Sequence, residues 1–320
     1  MKKILVVGGA GYIGSHTVAH LQKNGYDVVV ADNLHMGHAE AIPSGVPLEQ
    51  VDLLDQVALA KLFQKYHFHT VLHFAALIHV YESVSNPSAY YRNNALGTLN
   101  LLDAMRAADV DRIVFSSSCA VYGKPSYLPL DENHPRNPFN AYGQSKLMAE
   151  IMLADHARAH GLRWIALRYF NAAGSGDGMG ESHEPETHLV PLVLRAIVDG
   201  QPISLFGTNY DTPDGTCIRD YVHVEDLARA HLLAMENLKN FSGAINLGTG
   251  VGTSVREIIV AAERVTGRNC PVRNVARRSG DSAQFVASND MARKILGWIP
   301  SHGIDAMIAD AWHWEQHRKY

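Results

Sequence analysis

Apolar and polar positions alternate in blocks along the first half of this 320-residue chain. Short, nearly uninterrupted apolar runs, such as Val28-Val-Val-Ala31 and Ile113-Val-Phe115, are separated by longer stretches of mixed polarity. The pattern predicts strands over residues 4–8, 27–32, 46–52, 70–76, 112–118 and 163–171, with helices over 14–24, 55–66, 90–107 and 142–160 between them. Gly161 stands where the last of these helices needs a left-handed closing residue. A βαβα rhythm with strands apolar on both faces implies a parallel, doubly wound sheet covered by helices on each side.

After Asn171 the texture changes. Gly174-Ser-Gly-Asp-Gly178 opens a polar stretch that runs through His188, followed by a helix over 191–198. Further strands are expected at 203–207, 244–248 and 271–276, and helices at 224–237 and 254–266. This suggests residues 1–171 as a nucleotide-binding unit, with segments near 215–250 returning to it, and 172–320 as a smaller, interleaved C-terminal α/β lobe.

Composition narrows the functions. Hydrophobic residues make up 47% and charged residues 19%, and no apolar run approaches the ~20 residues that span a bilayer. A soluble protein with no membrane partner is expected. Lys2-Lys3 precedes an apolar run that Gly8-Gly9 ends after four residues, so it reads as a first strand rather than a signal peptide. The net charge of −4, without a long basic run, points away from nucleic acid and toward a small-molecule ligand. Cys119, Cys217 and Cys270 lack the spacing of a disulfide framework or zinc site, which fits a reducing cytoplasm. Among 18 histidines, His16/His20 and His313/His317 sit at helical spacing, but without an H-E-x-x-H pattern they read as packing or surface residues. No metal is expected.

Gly8-Gly-Ala-Gly11-Tyr-Ile-Gly14 follows the first strand and opens the first helix. Gly8 permits a tight turn, Gly11 close approach of backbone to a pyrophosphate, and Gly14 close helix packing. Asp32 ends the second strand 18 residues after Gly14, where a carboxylate accepts ribose hydroxyls and repels a 2′-phosphate. NAD is thereby favoured over NADP. Asp52 ends the third strand, as an adenine contact or as a loop cap. Ser118 ends a buried-type strand, with its hydroxyl toward the ligand crevice, whereas Ser116 and Ser117 read more simply as local turn hydroxyls. Tyr142 and Lys146 share one helix face at i and i+4, a pair suited to proton transfer if the ammonium lowers the phenol pKa from roughly 10. Tyr-x-x-x-Lys alone recurs by chance; its company here gives it weight.

That company is G-x-x-G-x-x-G, a downstream Asp, a strand-end Ser and Y-x-x-x-K, joined by His73-Phe-Ala-Ala76, Arg168-Tyr-Phe-Asn171, Asn246-Leu-Gly-Thr-Gly250 and Arg277-Arg-Ser-Gly-Asp281. From Val6 to about Trp314 the chain resembles the extended short-chain dehydrogenase/reductase superfamily and, within it, the UDP-glucose (UDP-galactose) 4-epimerase family. The resemblance implies a Rossmann fold, tightly bound NAD, a UDP-sugar substrate and a homodimer formed through helices 90–107 and 142–160. It implies Tyr142 as the base at the sugar 4-hydroxyl, Ser118 as the hydrogen-bonding partner of that oxygen, and Lys146 as the residue that holds nicotinamide ribose and lowers the phenol pKa. Tyr12, Ile13, Asp32, Asn33, Asp52, Leu53, Phe74, Asn94 and Phe170 match cofactor contacts. Asn171, Arg219, Arg278 and Asp281 match residues gripping UDP, and Phe285 the position that governs tolerance of an N-acetyl sugar. Its large ring favours UDP-glucose and UDP-galactose.

Ile78 stands where many relatives carry a lysine near the cofactor pyrophosphate, with His79 beside it as a partial substitute or an ordinary loop residue. Alternatives are an epimerase of UDP-xylose/UDP-arabinose or UDP-N-acetylhexosamine, a nucleotide-sugar dehydratase or decarboxylase, and a non-catalytic nucleotide sensor. Dehydratases on this scaffold place an acid after the strand-end hydroxyl, where this chain has Cys119. A sensor has no need of the intact Ser118, Tyr142 and Lys146 set.

Overall fold

A computed structural model describes residues 2–278 and 281–320. Seven parallel strands form the main sheet in the order Gly243–Leu247, Arg163–Tyr169, Arg112–Ser118, Phe68–His73, Lys3–Val7, Asp27–Asp32, Leu48–Gln50. The direction of winding reverses between Lys3–Val7 and Phe68–His73, and ligands of open α/β sheets bind at such a switch point. Successive strand residues point to opposite faces. Ile4, Val6, Val28 and Val30 accordingly pack with Val18 and Leu21 of helix Tyr12–Lys23 and with Leu227 of helix Val224–Asn237. Their neighbours Leu5, Val7, Val29 and Ala31 pack on the other face with Leu59, Leu101 and Leu153. Burial on both faces is the physical reason these strands read as unbroken apolar runs.

A third apolar cluster, with Val193, Ile197, Ile258, Ile259 and Ile308, joins helices Leu189–Asp199, Val255–Thr266 and Ile304–Gln316. Beside it, strand Ile218–His223 pairs with Asn171–Ala173, Gly252–Ser254 and Gln284–Phe285, and Ile203–Phe206 pairs with Val272–Val275. The strand Gly243–Leu247 returns to the main sheet beside Arg163–Tyr169. Among the described residues no helix is long and apolar enough to cross a membrane.

Several expectations change, among them the strand expected over 70–76, which runs Phe68–His73. The strand expected over 163–171 ends at Tyr169, because Asn171–Ala173 leaves the main sheet to pair with Tyr221–His223. The helix expected over 90–107 is a composite: Pro87–Tyr90, a wide π turn over Tyr91–Leu96, then Gly97–Ala107. The strand expected over 46–52 is confined to Leu48–Gln50 at the sheet edge. Strand Ile218–His223 and helix Ile304–Gln316 lay outside the expected elements.

Candidate active site

A cavity of about 390 Å³ opens along the C-terminal ends of the main-sheet strands. Its floor is the glycine turn. Gly8 has φ +78°, and a Cβ there would lie 2.4 Å from the Ala75 backbone nitrogen. A Cβ on Gly14 would lie 2.2 Å from the Gly8 carbonyl oxygen, so both positions exclude any side chain. A Cβ on Gly11 would meet nothing closer than 3.5 Å, leaving the backbone at the start of helix Tyr12–Lys23 open toward the cavity. No side chain caps that helix N-terminus. Its free N–H groups and dipole suit a pyrophosphate.

At the end of Asp27–Asp32, the buried Asp32 carboxylate accepts one backbone N–H from Ala10 and one from Leu34, both at 2.9 Å. Burial raises its pKa. A desolvated carboxylate with one bond on each oxygen has lone pairs left for two hydroxyl donors. Asn33 donates to Asp52 at 2.9 Å, tying the ends of two adjacent strands together. Asn33, Asp52, Leu53, Phe74, Phe170, Tyr12 and Ile13 all line this cavity. The Tyr12 hydroxyl is committed to the Gly174 carbonyl at 2.6 Å. Glycine cradle, open helix end and buried acceptor together fit the phosphates and ribose of NAD.

Asn94 departs from expectation. It does not line either cavity; its amide is consumed within the protein, accepting from Leu77 N–H at 2.8 Å and donating to Leu77 carbonyl and Ser145 Oγ. It positions the loop after strand Phe68–His73, which lines the cavity through Ala75, Ala76, Leu77 and Ile78. Ile78 lines the cavity, so no ammonium is presented from that position.

Ser118, Tyr142 and Lys146 meet at the inner end of the same cavity. Asn140 caps helix Ala141–His160 by accepting from Gly143 N–H, which fixes the turn carrying Tyr142. Ser118 lies close enough to the phenol to stabilise its ionised form. Lys146 Nζ donates to the Ser116 carbonyl at 2.7 Å and sits 6.0 Å from the Tyr142 ring centre. The expected tuning of the phenol by Lys146 is not what dominates here. Desolvation pushes the Tyr142 phenol up to about 12 and the Lys146 ammonium down to about 7, the latter against the attraction of Glu150. Burial disfavours both charged forms, and an ammonium that is only partly protonated near neutral pH exerts little pull on a phenol.

Behind this face lies a network the sequence reading missed. Glu150, one turn beyond Lys146 and buried, takes both branches of the Arg168 guanidinium at 2.9 and 2.6 Å and the Ser117 hydroxyl at 2.6 Å. Arg168 also donates to Tyr122, whose hydroxyl donates to Asn246. Helix Ala141–His160 is thereby fastened to three strands of the sheet. The visible signal was a glutamate on the helix face that carries Lys146.

A second cavity, of about 530 Å³, adjoins the first and shares Asn171, Ala172 and His188 with it. Arg219, Arg278 and Asp281 line it. Arg219 donates to the Ile218 and Ser282 carbonyls at 2.9 Å and stands 3.6 Å from Asp281, while the Arg278 guanidinium lies 3.6 Å over the Phe206 ring centre. Ser279 and Gly280, between Arg278 and Asp281, lie outside the described residues. Phe285 lines neither cavity directly; its ring packs 5.7 Å from that of Phe170, which does. Asp220, absent from the sequence reading, accepts from Thr249, Gly250 and Ala287 and so clamps the loops behind this cavity.

A family model for the NAD dependent epimerase/dehydratase family matches residues 4–248. The chain is 49% identical over 316 residues to a UDP-glucose 4-epimerase of Rhizobium leguminosarum bv. trifolii, covering 97% of this chain and 96% of that one. It is similar to the crystal structure of UDP-glucose 4-epimerase from Brucella ovis in complex with NAD, with 50% identity, TM-score 0.94 and 98% of each chain covered. A further structure, UDP-glucose 4-epimerase from Bifidobacterium longum in complex with NAD+ and UDP, is 37% identical with TM-score 0.94 and 99% of each chain covered.

Proposed function

The chain belongs to the NAD dependent epimerase/dehydratase family, and from that membership we propose that it is a UDP-glucose 4-epimerase, interconverting UDP-galactose and UDP-glucose through a transient 4-keto sugar. The observation that carries this reading is the meeting of Ser118, Tyr142 and Lys146 in a cavity that shares Asn171, Ala172 and His188 with an arginine-lined neighbour. A dinucleotide fits the first cavity and a nucleoside diphosphate the second, with the hexose between them.

NAD, when bound, supplies the hydride acceptor and donor for C4 and adds positive charge to the buried cavity. Tyr142 as phenolate, a form that burial disfavours and that Ser118 and the positive charge of bound NAD would favour, would take the proton from the 4-hydroxyl as that carbon is oxidised and return it as the ketone is reduced on its other face. Ser118 hydrogen-bonds the same oxygen through both half-reactions. Lys146 is held by the Ser116 carbonyl beside the phenol. Arg219, Arg278 and Asn171 hold the UDP portion, since guanidinium groups match phosphate oxygens in pairs. Anchoring the diphosphate there leaves the hexose free to turn, as exchange of its two faces requires.

We assign cofactor binding to residues 1–171 with the return near 215–250, and substrate binding to 172–320. A homodimer is supported by the exposed Tyr91, Leu96, Met148 and Ile151 beside and on helices Gly97–Ala107 and Ala141–His160. Three free thiols support a reducing, cytoplasmic setting.

The test is incubation of purified protein with UDP-galactose and no added NAD. Formation of UDP-glucose of unchanged mass is expected. A product lighter by water or carbon dioxide, or no conversion even with NAD supplied, would overturn the reading.

A further inference from the structure

The segment leading into helix Leu189–Asp199 carries Glu181, His183, Glu186 and His188, and one ligating atom of each lies within 4.8 Å of the others. We propose that these four side chains form a binding site for one divalent transition-metal ion, best matched to Zn2+.

The distances suit such an ion. His183 Nδ1 lies 3.2 Å from Glu181 Oε1, His188 Nδ1 lies 2.6 Å from Glu181 Oε1 and 3.0 Å from Glu186 Oε1, and His183 Nδ1 lies 4.0 Å from Glu186 Oε2. Zinc bonds of about 2.0–2.2 Å to nitrogen and carboxylate oxygen, arranged tetrahedrally, separate neighbouring donors by roughly 3.3–3.6 Å. The four separations run from 2.6 to 4.0 Å, and the two shortest are direct contacts of His188 with the carboxylates that an entering ion would open. Two imidazoles and two carboxylates also select against Mg2+ and Ca2+, which prefer all-oxygen sites.

The second observation is an unfinished polar core. The Glu186 side chain is 1% exposed, yet its Oε2 has no hydrogen-bond partner; His183 Nδ1, 4.0 Å away, faces Glu181 Oε1 at 3.2 Å instead. The other Glu186 oxygen is occupied by the backbone N–H groups of Thr187 and His188. A buried carboxylate oxygen left unpaired is costly, and the gap between it and His183 Nδ1 is too long for a direct bond. A dication between them would satisfy both and neutralise the two carboxylates. His79 lies within electrostatic reach of this cluster, and both of its ring nitrogens are buried without partners.

Glu181, His183 and His188 also line the glycine-turn cavity, and His188 lines its neighbour. The ion would therefore lock the wall between the two cavities to the start of helix Leu189–Asp199.

The experiment uses the full chain, stripped with a chelator and dialysed against Zn2+ alone, with uptake measured by elemental analysis and affinity by competition with a chromophoric chelator. A single ion per chain is expected, with a rise in melting temperature on loading. Glu186→Gln and His183→Ala should each weaken binding by at least about tenfold and abolish that rise, while His317→Ala, just past the end of helix Ile304–Gln316, should leave both unchanged. Substitution of Co2+ in the parent should give the strong visible absorption of a four-coordinate N/O site. Failure of the parent to take up Zn2+, uptake with unchanged affinity by both variants, or only the weak spectrum of six-coordinate Co2+ would each overturn the proposal, and the Co2+ reading holds even if a variant does not fold.

Discussion

The two cavities are made of different materials. The glycine-turn cavity is framed by backbone at the ends of long, doubly covered strands, and its chemical groups are backed by buried bonds such as those of Glu150 to Arg168 and Ser117. The arginine cavity is framed by side chains on three- to six-residue strands and on the loop after Val272–Val275, with one guanidinium stacked on a phenyl ring and the other bonded to backbone carbonyls. On the proposed function, the reacting groups would rest on a buried ion-paired network and the nucleotide on partly exposed guanidinium groups.

The largest effect should come from Tyr142→Phe. Loss of the proton carrier should lower kcat by about a thousandfold, while affinity for UDP, measured by calorimetry, should be unchanged. An equal loss of UDP affinity would mean the two cavities are not separable.

Glu150→Ala should destabilise the fold by about 3–5 kcal/mol, since it strands the buried Arg168 guanidinium. Arg278→Ala should barely move the chemical-denaturation midpoint, but should weaken UDP binding about tenfold, the scale of one charge-assisted hydrogen bond. A comparable stability loss in both variants would show the arginine cavity to be as rigidly built as the other.

A smaller effect isolates Lys146. Its ammonium is pushed down to about 7 by burial, from an ordinary 10.5. Below that value the folded and unfolded chains both hold the proton, and the fold bears the cost of a buried ammonium. Above it the folded chain releases a proton that the unfolded chain keeps, so this residue's contribution to stability rises with pH up to the unfolded value. Between pH 7 and 9 the parent should gain about 2 kcal/mol relative to Lys146→Met. Parallel stability–pH curves for the two proteins would sink the assignment.

The same division explains what was legible in the sequence. Strands such as Asp27–Asp32 and Arg112–Ser118 announced themselves because burial on both faces demands unbroken apolar runs. The glycine turn was legible because its constraint is steric and local to Gly8 and Gly14. Ile218–His223 was not, since Ile-Arg-Asp-Tyr-Val-His mixes charge with apolar residues and its strand partners lie up to 66 positions away, as Gln284 does from Ile218. The desolvation of Tyr142 and Lys146 is illegible in the sequence for a related reason. Spacing reveals that the pair shares a helix face, whereas desolvation depends on what the rest of the chain folds over it. Asn94 occupies the expected place, but its amide is spent on Leu77 and Ser145, a fact set by a loop seventeen residues away.

The finest test concerns the seam between the cavities, where Phe285 backs Phe170. The parent should turn over UDP-galactose with a higher kcat/KM than UDP-N-acetylgalactosamine, and Phe285→Ala should narrow that ratio by roughly tenfold, the scale on which an apolar pocket discriminates by size. Because Phe285 acts through a neighbouring ring rather than by lining a cavity, the change should appear mainly in KM for the N-acetyl sugar, with kcat for UDP-galactose nearly preserved. Equal efficiency of the parent on both sugars would remove Phe285 as the determinant. A large fall in kcat for UDP-galactose in the variant would instead show that the Phe170–Phe285 stack supports the reacting groups, placing the seam with the glycine-turn cavity rather than the arginine one.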